Sequence, residues 1–313
     1  MVKLPKLKPR ALRPGDTVAI IAPASYFNRD DFNAGCDALR SMGYQPIYDN
    51  SIFDRDLYFA GSPERRVREL EQAFEDDGVK AIVCARGGYG SNYLLERVDV
   101  TKIAANPKVF VGYSDLTSLM THFYDRTGLV TFHGPMVAKD FAKSDGVDVP
   151  SWRAALEQQS TFNPAANATL APLAAGKAEG VLYGGCLSML VESLSTPYEI
   201  HPSGTILFIE DVATKPYQID RMLMHLKLAG KLNQVKGLVF GEMLDCSPSA
   251  APGYSIEEII RRVVADLDVP VAYGLRSGHV SHQNITLPMG VNASLWVDTS
   301  AAKLEILEPA TIA

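Results

Sequence analysis

The sequence lacks long hydrophobic runs and closely spaced cysteines. Its first apolar run, residues 18–22, ends at a proline, and no later stretch approaches the ~20 apolar residues that a membrane helix needs. The N-terminus shows no signal-peptide hydrophobic region. The four cysteines are far apart, with no C-x-x-C pair and no Cys/His cluster at zinc spacing. These features predict a cytoplasmic protein with reduced thiols that uses neither a metal nor a cofactor.

Positive charge is also scarce. The 313 residues include 30 Lys and Arg against 36 Asp and Glu, which gives a formal net charge of -6. No basic stripe of the kind that binds nucleic acid is present, and prolines interrupt the basic residues near the N-terminus. Apolar residues make up 47% of the chain, which excludes a disordered protein. We therefore expect a globular protein that binds neither nucleic acid nor a membrane.

The first half of the chain alternates strand and helix patterns. Apolar runs bounded by turn residues predict short strands, and segments with apolar residues at helical spacing follow them. The predicted strands are 17–22, 45–48, 81–85 and 109–112, and the predicted helices are 30–41, 62–76, 91–95 and 116–126. Repeated strand–loop–helix units predict an α/β fold with a parallel, Rossmann-like sheet in the N-terminal domain.

The second half has a different pattern. Residues 140–180 are rich in Ala, Pro, Asn and Ser, and we interpret them as the connection between domains, although 152–158 fit a short helix. Helices are predicted at 216–229 and 255–267, and short strands at 178–183, 205–210, 237–240, 270–273, 285–288, 293–298 and 303–306. The pattern predicts a mixed, β-rich C-terminal domain. The predicted domains are 1–160, including the linker from about residue 140, and 161–313.

Ser114 is the strongest candidate for a nucleophile. It lies between the apolar segment VFVG and a helical pattern, and a serine on such a tight turn projects its Oγ outward. The amide of Asp115 then lies at a helix N-terminus, where it can donate to an oxyanion. The segment lacks the second glycine of the G-x-S-x-G elbow. A helix cap formed by Ser114 or Asp115 is the alternative.

A glycine-rich segment, Arg86-Gly87-Gly88-Tyr89-Gly90, also follows a predicted strand and precedes a helix. Glycines let backbone N–H groups approach a ligand or an oxyanion closely. The segment matches neither the P-loop pattern nor the dinucleotide-binding pattern. Two interpretations stay open from the local sequence, an anion-binding loop and a tight turn.

A nucleophilic serine needs a base, and the chain has six histidines. His279 lies in a loop after a predicted strand, which suits a catalytic base, and His282 competes with it. The others lie in predicted helices, a turn or a loop: His122, His133, His201 and His225. Glu210 or Asp211, at the end of the apolar strand ILFIE, could orient the base or could form an exposed strand end.

Short motifs are spread along the whole chain, and each is weak by itself. They are PGD (14–16), APAS (22–25), GSPERR (61–66), CARGGYG (84–90), GYSD (112–115), HGPM (133–136), FIED (208–211) and SGH (277–279). Their order and spacing together are specific. In this arrangement the sequence resembles the LD-carboxypeptidase family of serine peptidases, also called muramoyltetrapeptide carboxypeptidases.

The resemblance implies a Ser–His–Glu triad, with Ser114 as nucleophile, His279 as general base and Glu210 as the residue that orients His279. It also implies an oxyanion hole formed by the backbone amides of Asp115 and Gly88. The implied reaction removes the terminal D-alanine from an L,D-linked murein tetrapeptide during cell-wall recycling in the cytoplasm. The resemblance also suggests a homodimer.

Three further positions bear on the substrate. Arg86 could pair with the free carboxylate of D-Ala or form a structural salt bridge, and Tyr89 is a second candidate for substrate binding. The segment GGCLS (184–188) resembles the family's G-G-N-L-S pattern, with Cys186 in place of Asn. A thiol is a far weaker hydrogen-bond donor than an amide. Cys186 is also an alternative nucleophile, whereas Cys84 fits a buried small hydrophobe.

Two other functions compete with the murein enzyme. A relative on the same fold could cleave a peptidyl-nucleotide antibiotic as a self-immunity peptidase, which would need an aromatic pocket for a nucleobase. The chain has only two tryptophans, Trp152 and Trp296, and Trp296 fits a strand. A non-catalytic binding protein could keep the fold, but intact Ser114, Glu210 and His279 argue against it.

Overall fold

The computed structural model describes residues 4–158, 160–165, 170–247 and 253–313. The chain separates into two compact units. The first unit comprises Met1–Ser160, His282–Gly290 and Pro309–Ala313, and the second comprises Thr161–Ser281 and Val291–Glu308. No helix among the described residues is both long enough and apolar enough to span a membrane.

The strands and helices are short and follow one another closely. The strands are β1 (Thr17–Ile21), β2 (Gln45–Ile47), β3 (Val79–Cys84), β4 (Val109–Gly112), β5 (Thr131–His133), β6 (Ala171–Ala174), β7 (Gly176–Cys186), β8 (Thr205–Glu210), β9 (Gly237–Gly241), β10 (Val271–Leu275), β11 (Leu287–Met289), β12 (Asn292–Val297) and β13 (Ala302–Ile306). The helices are α1 (Arg29–Ser41), α2 (Pro63–Glu75), α3 (Val100–Ala105), α4 (Thr117–Thr127), α5 (Val149–Leu156), α6 (Leu187–Glu192), α7 (Pro216–Leu228) and α8 (Ile256–Val264).

The first unit is built on a six-stranded sheet in the order β11-β5-β4-β3-β1-β2. The strands β1 to β5 are parallel, and β11 pairs antiparallel with β5 at one edge. Every residue of β4 is buried, as expected for a parallel strand that is covered on both faces. The predicted parallel sheet is therefore confirmed.

The second unit is built on a seven-stranded sheet in the order β13-β12-β7-β8-β9-β10-β6. The four central strands, β7 to β10, are parallel. The strands on both sides of them, β6 and the β12–β13 pair, run antiparallel to their neighbours. The mixed sheet predicted for this half of the chain is confirmed.

The helix boundaries reflect local capping. The side chain of Asn28 accepts hydrogen bonds from the first amides of α1, and Ser62 caps α2 with Pro63 at the first helical position. Ser255 and Glu258 form a reciprocal capping box at the start of α8. These caps place three predicted helix starts within one or two residues of where the structure has them.

Several short elements differ from the predictions. His133, predicted in a loop, ends strand β5, and β6 and α3 carried no clear pattern. Strand β5 has only three residues, and β6 lies at the edge of its sheet and contains a proline. Neither segment therefore shows the alternation of apolar and polar residues that predicts a strand. Residues 91–94 form a single 3₁₀ turn where a helix was predicted.

One close contact fixes helix α1 in the first unit. A Cβ on Gly35 would lie 2.1 Å from the backbone carbonyl oxygen of Val137. The amide of Val137 donates to the carbonyl of Cys84 at 3.2 Å, so this segment is tied to the end of β3. The absence of a side chain at residue 35 therefore sets how closely α1 approaches the backbone beside the sheet.

We expect Gly35→Ala to destabilise the protein by about 2 kcal/mol, because overpacking against backbone outweighs the gain of about 1 kcal/mol in helix propensity. Urea unfolding followed by circular dichroism measures the change. Ala34→Gly, at the exposed neighbouring position of the same helix, is the control and should lose about 1 kcal/mol. A Gly35→Ala variant more stable than the wild type would contradict the contact.

Candidate active site

Ser114 has an unusual backbone conformation. It follows β4 and begins a 3₁₀ turn, Ser114–Leu116, that leads into α4. Its φ angle is 64°, in the left-handed region that a residue with a side chain adopts only at a cost of about 1–2 kcal/mol. No side-chain cap bond forms at the start of this turn or of α4, so Ser114 and Asp115 do not serve as the helix cap. The sharp turn instead resembles the nucleophile elbow of hydrolases, without its second glycine.

The glycine-rich segment packs directly against Ser114. A Cβ on Gly87 would lie 2.9 Å from the Cβ and 3.2 Å from the Oγ of Ser114. A Cβ on Gly88, whose φ is 103°, would lie 2.5 Å from the Oγ of Ser25. Only glycine fits both positions, so the backbone of this segment lies within contact distance of the serine side chain.

Ser25 and Asp115 hold the glycine-rich segment in place. The Oγ of Ser25 accepts a hydrogen bond from the amide of Tyr89 at 3.1 Å, and the Ser25 amide donates to the Gly87 carbonyl at 3.3 Å. The carboxylate of Asp115 accepts the amide of Ser91 at 2.8 Å, and the Ser91 hydroxyl donates to the Asp115 carbonyl at 2.6 Å. Burial raises the pKa of Asp115 above its usual value.

Two buried arginines support the same region from helix α2. The Nη1 of Arg66 donates to the carbonyls of Pro23 at 2.6 Å and Gly90 at 2.8 Å, and the side chain is fully buried. Arg65 donates to the carbonyl of Ala22 and pairs with Glu69 at 3.0 Å. The sequence pattern gave these two arginines no functional role. Their position in the first turn of a helix, where the helix dipole disfavours positive charge, could have indicated one.

In the second unit, Glu210 binds His279. Glu210 is the fully buried last residue of β8, and His279 follows β10 with 6% of its surface exposed. The carboxylate Oε2 lies 2.7 Å from Nδ1 of His279 and accepts the His279 backbone amide at 3.1 Å. Two contacts to one oxygen fix the ring orientation. With the proton shared on Nδ1, the Nε2 atom is the ring nitrogen that accepts a proton.

Asp211 has a different role from Glu210. Its Oδ2 accepts the amide of Ser188 at 3.0 Å and the Ser188 hydroxyl at 2.7 Å, so it tethers the start of α6. Sequence reasoning missed Gly241 at the end of β9, where a Cβ would lie 2.6 Å from the Cβ of Glu210. A glycine at this position makes room for the carboxylate chain.

The remaining candidates from the sequence are placed elsewhere. His133 is fully buried on β5 with its ring 5.8 Å from that of Tyr113, and His225 is exposed on α7. His282 is exposed and belongs to the first unit. Burial raises the pKa of Cys186 well above its usual value, and a neutral thiol is a poor nucleophile. Cys84 is fully buried, which confirms the prediction of a small hydrophobe.

Arg86 and Tyr89 are both exposed beside the glycines. The Nη1 of Arg86 donates to the carbonyl of Tyr26 at 3.1 Å, and no carboxylate of the described segments pairs with it. Arg86 therefore does not form the structural salt bridge that was the alternative to substrate binding. The ring of Tyr89 contacts those of Tyr58 and Tyr93, with centroid distances of 6.0 and 6.1 Å.

A strained serine against a glycine-rich turn, and a histidine bound to a buried glutamate, are residue types that serine hydrolases use for nucleophilic catalysis. Residues 18–134 match the LD-carboxypeptidase N-terminal domain, and residues 179–295 match the LD-carboxypeptidase C-terminal domain. The chain belongs to the LD-carboxypeptidase family.

Relatives match along nearly the full length. A probable murein peptide carboxypeptidase of Bacillus subtilis is 36% identical over 96% of this chain and 94% of its own. A murein tetrapeptide carboxypeptidase of Pseudomonas aeruginosa is 32% identical over 89% of this chain and 92% of its own. Among solved structures, the Oxalobacter formigenes muramoyltetrapeptide carboxypeptidase is 31% identical with a TM-score of 0.84, covering 94% of this chain and 99% of that one. The microcin C7 self-immunity protein MccF is 26% identical with a TM-score of 0.88, and the match covers 98% of this chain and 100% of that one.

His122 on α4 gives a prediction for acid stability. Burial, and next the charge of Arg126, lower its pKa from 6.5 to about 4. Between these two pH values the unfolded chain binds a proton that the native protein excludes, so stability falls as the pH falls through this window. The free energy of unfolding of both proteins should fall between pH 7 and 4.5. We expect the fall in His122→Gln to be about 2 kcal/mol smaller than in the wild type.

Urea unfolding at both pH values measures this difference. His225→Gln, which changes an exposed histidine of α7, is the matched control and should follow the wild type. If the free energy of unfolding fell equally in the His122 variant and the wild type, His122 would not contribute to the acid sensitivity of the protein.

Proposed function

We propose that the protein removes the terminal D-alanine from L,D-linked murein tetrapeptides, with Ser114 as nucleophile, His279 as general base and Glu210 as the residue that orients His279. The observation that carries the proposal is the left-handed backbone of Ser114, packed against Gly87. Strain of this kind persists where surrounding contacts enforce it and concentrates at functional positions. The names of the full-length relatives support the choice of substrate.

The first half of the proposed reaction forms an acyl-enzyme. The Oγ of Ser114 attacks the carbonyl carbon between the L-centre of the diamino acid and D-alanine, while Nε2 of His279 takes the hydroxyl proton. The backbone amides of Asp115 and Gly88 donate to the oxyanion. The tetrahedral intermediate then breaks its C–N bond, His279 gives its proton to the amine, and D-alanine leaves.

The second half regenerates the serine. Water attacks the ester carbon as His279 takes one of its protons, and the second tetrahedral intermediate expels the Ser114 oxygen, which recovers that proton. The Glu210 carboxylate stabilises the imidazolium in both steps, because the pair is buried and the ring is fixed through Nδ1. The products are the tripeptide and D-alanine.

An exopeptidase must also recognise the free carboxylate that marks the chain end. We assign this role to Arg86, whose guanidinium is exposed beside Gly87 and Gly88 and makes no ion pair within the described chain. A planar guanidinium binds a carboxylate through two parallel hydrogen bonds. Tyr89 is the second proposed substrate contact. From the family resemblance we also propose a cytoplasmic homodimer.

Cleavage of a peptidyl-nucleotide is the second candidate, because MccF has been solved with aspartyl sulfamoyl adenosine. Neither tryptophan favours this activity. Trp152 is fully buried and its Nε1 donates to the hydroxyl of Tyr44 at 3.0 Å, so it cannot stack on a base. Trp296 is 42% exposed on β12, a strand near the edge of its sheet. We therefore favour the murein peptide.

A parallel assay separates these functions. Purified protein is incubated with free tetrapeptide, anhydromuropeptide and a peptidyl-nucleotide, and released D-alanine or nucleotide is measured over time. We expect D-alanine release from at least one murein substrate to exceed cleavage of the peptidyl-nucleotide. Faster cleavage of the peptidyl-nucleotide would replace the proposal with the self-immunity activity.

Ser114→Ala should fold normally and lose at least about 10³-fold in kcat, because no other hydroxyl replaces the nucleophile. A fluorophosphonate probe should label the wild type and leave this variant unlabelled. Ser118→Ala, one turn further along α4, is the control and should keep both activity and labelling. Near wild-type turnover in Ser114→Ala would remove Ser114 as the nucleophile.

The two histidines near residue 280 can be separated by substitution. His279→Ala removes the ring that contacts Glu210 and should abolish turnover, whereas His282→Ala changes an exposed side chain and should keep it. D-alanine release by each variant is compared at equal folded concentration, checked by circular dichroism. An inactive His282→Ala beside an active His279→Ala would show that the base has been assigned to the wrong residue.

A further inference from the structure

The loops after β1 and β3 lie at the point where the strand order of the first sheet reverses. The sheet runs β2-β1-β3-β4, so the chain leads from β1 to β2 on one side and from β3 to β4 on the other. In open parallel sheets, ligands bind at this point, beyond the carboxyl ends of the strands. Here it lies between residues 23–25, after β1, and residues 87–90, after β3. Contacts that join these two segments therefore shape the binding site.

The backbone amides of Gly87 and Gly88 are available to a ligand. Within the described parts of the chain neither amide has a hydrogen-bond acceptor, and residue 88 is exposed. A Cβ on Gly87 would lie 3.2 Å from the Oγ of Ser114, so this stretch of backbone borders the proposed nucleophile. Gly88 is one of the two proposed oxyanion donors. A glycine with a φ of 103° does not fix its own orientation, so neighbouring contacts must direct its amide.

Ser25 holds the backbone on both sides of Gly88. Its amide donates to the Gly87 carbonyl at 3.3 Å. Its hydroxyl accepts the Tyr89 amide at 3.1 Å and donates to the Tyr89 carbonyl at 3.3 Å. A Cβ on Gly88 would lie 2.5 Å from the Ser25 Oγ, so the two residues are in direct contact. The peptide units before and after Gly88 are thus each bound to the same serine.

Planarity of the peptide bond connects these contacts to the oxyanion. The Gly87 carbonyl and the Gly88 amide belong to one planar trans unit, in which C=O and N–H point in opposite directions. Because the Ser25 amide binds the Gly87 carbonyl, the Gly88 N–H points away from the Ser25 amide. A flip of this unit would replace the N–H with a carbonyl oxygen, which repels an oxyanion.

Arg66 holds the far end of the same loop. Its Nη1 donates to the Pro23 carbonyl at 2.6 Å and to the Gly90 carbonyl at 2.8 Å, so one fully buried cation joins the segments after β1 and β3. The guanidinium lies 4.8 Å from the centroid of Phe59, and a Cβ on Gly90 would lie 2.7 Å from that ring. Arg66 and Phe59 therefore enclose Gly90, two residues beyond Gly88.

We propose that Ser25 and Arg66 are positioning residues for the oxyanion hole, because they hold the peptide unit between Gly87 and Gly88 with its N–H directed at the oxyanion. Both act through the backbone of the loop and not on the substrate. The inference rests on the proposed function, since it takes Ser114 as the nucleophile and Gly88 as a donor.

Kinetics of Ser25→Ala on a murein tetrapeptide test the inference. A contact to the oxyanion exists only in the transition state, so kcat should fall about 10- to 100-fold while KM stays within about twofold of the wild type. The loss is smaller than the cost of deleting a donor, about 10²–10³-fold, because the Gly88 amide is still present.

Thr127→Val is the matched control for the lost hydroxyl. The Thr127 hydroxyl also accepts a backbone amide, that of Leu129 at 3.1 Å, and donates to a carbonyl, that of Phe123 at 2.6 Å. It lies at the opposite end of α4 from Ser114. Thr127→Val should therefore keep the kcat of the wild type.

A peptide boronic acid, with boron in place of the scissile carbonyl carbon, gives a second measurement. It forms a tetrahedral adduct with a serine hydroxyl and so mimics the transition state. Its dissociation constant for Ser25→Ala should rise by the factor by which kcat falls, whereas that of the product tripeptide should not change. A purely structural role for Ser25 would not separate these two ligands.

Arg66→Met should reproduce the loss of kcat. Lys108→Met is its control, because Lys108 is also a buried cation bound to a backbone carbonyl, that of Asp76, and precedes β4 whereas Ser114 follows it. The double variant Ser25→Ala/Arg66→Met should lose less than the product of the single losses, since both changes release the same loop. Circular dichroism shows which variants fold, and Ser25→Ala alone decides the inference if Arg66→Met does not.

An unchanged kcat in Ser25→Ala, or a loss confined to KM, would overturn the positioning role and leave the proposed function standing. Equal weakening of the boronic acid and the tripeptide would do the same. A wild type that releases no D-alanine from murein peptides would overturn the proposed function and this inference with it.

Discussion

The buried carboxylate of Asp115 joins the turn after β4 to the turn after β3. Strands β3 and β4 are parallel neighbours, so both turns leave the same edge of the sheet. By accepting the amide of Ser91, Asp115 fixes the spacing of those turns, and Gly87 then comes into contact with Ser114. The backbone strain at Ser114 persists because these contacts hold the turn in this conformation.

The second unit also contains a buried carboxylate, that of Glu210, which other residues stabilise. A carboxylate at the end of a fully buried strand is costly unless donors meet it, and Glu210 receives two from His279, one from the ring and one from the backbone. The buried thiol of Cys186 lies opposite Glu210 in the pairing of β7 with β8. An uncharged neighbour at that position adds no repulsion to a buried anion. Glu210, His279 and Gly241 therefore form one packed group.

The sequence predicted the elements with a clear period or cap, including β4, α2 and β8, and it named the serine, the glutamate and the histidine. The local pattern alone could not choose between Glu210 and Asp211, because consecutive strand residues point to opposite faces and the pattern does not say which face meets His279. Glu210 was selected only by the resemblance to the family. The support from Ser25 and Arg66 was also missed. Their partners lie far away in sequence, as with Arg66 and Gly90, and are backbone N–H and C=O groups that carry no residue-specific pattern.

The position of β11 at the edge of the first sheet has a consequence for synthesis on the ribosome. The ribosome synthesises β5 early. It synthesises β11, which pairs with the outer edge of β5, only after Thr161–Ser281 has been translated. Until then β5 presents unpaired N–H and C=O groups, which are a template for pairing with other chains. Newly made first units are therefore most exposed to association with one another during this interval, which ends when residues 287–289 leave the exit tunnel and add to the sheet.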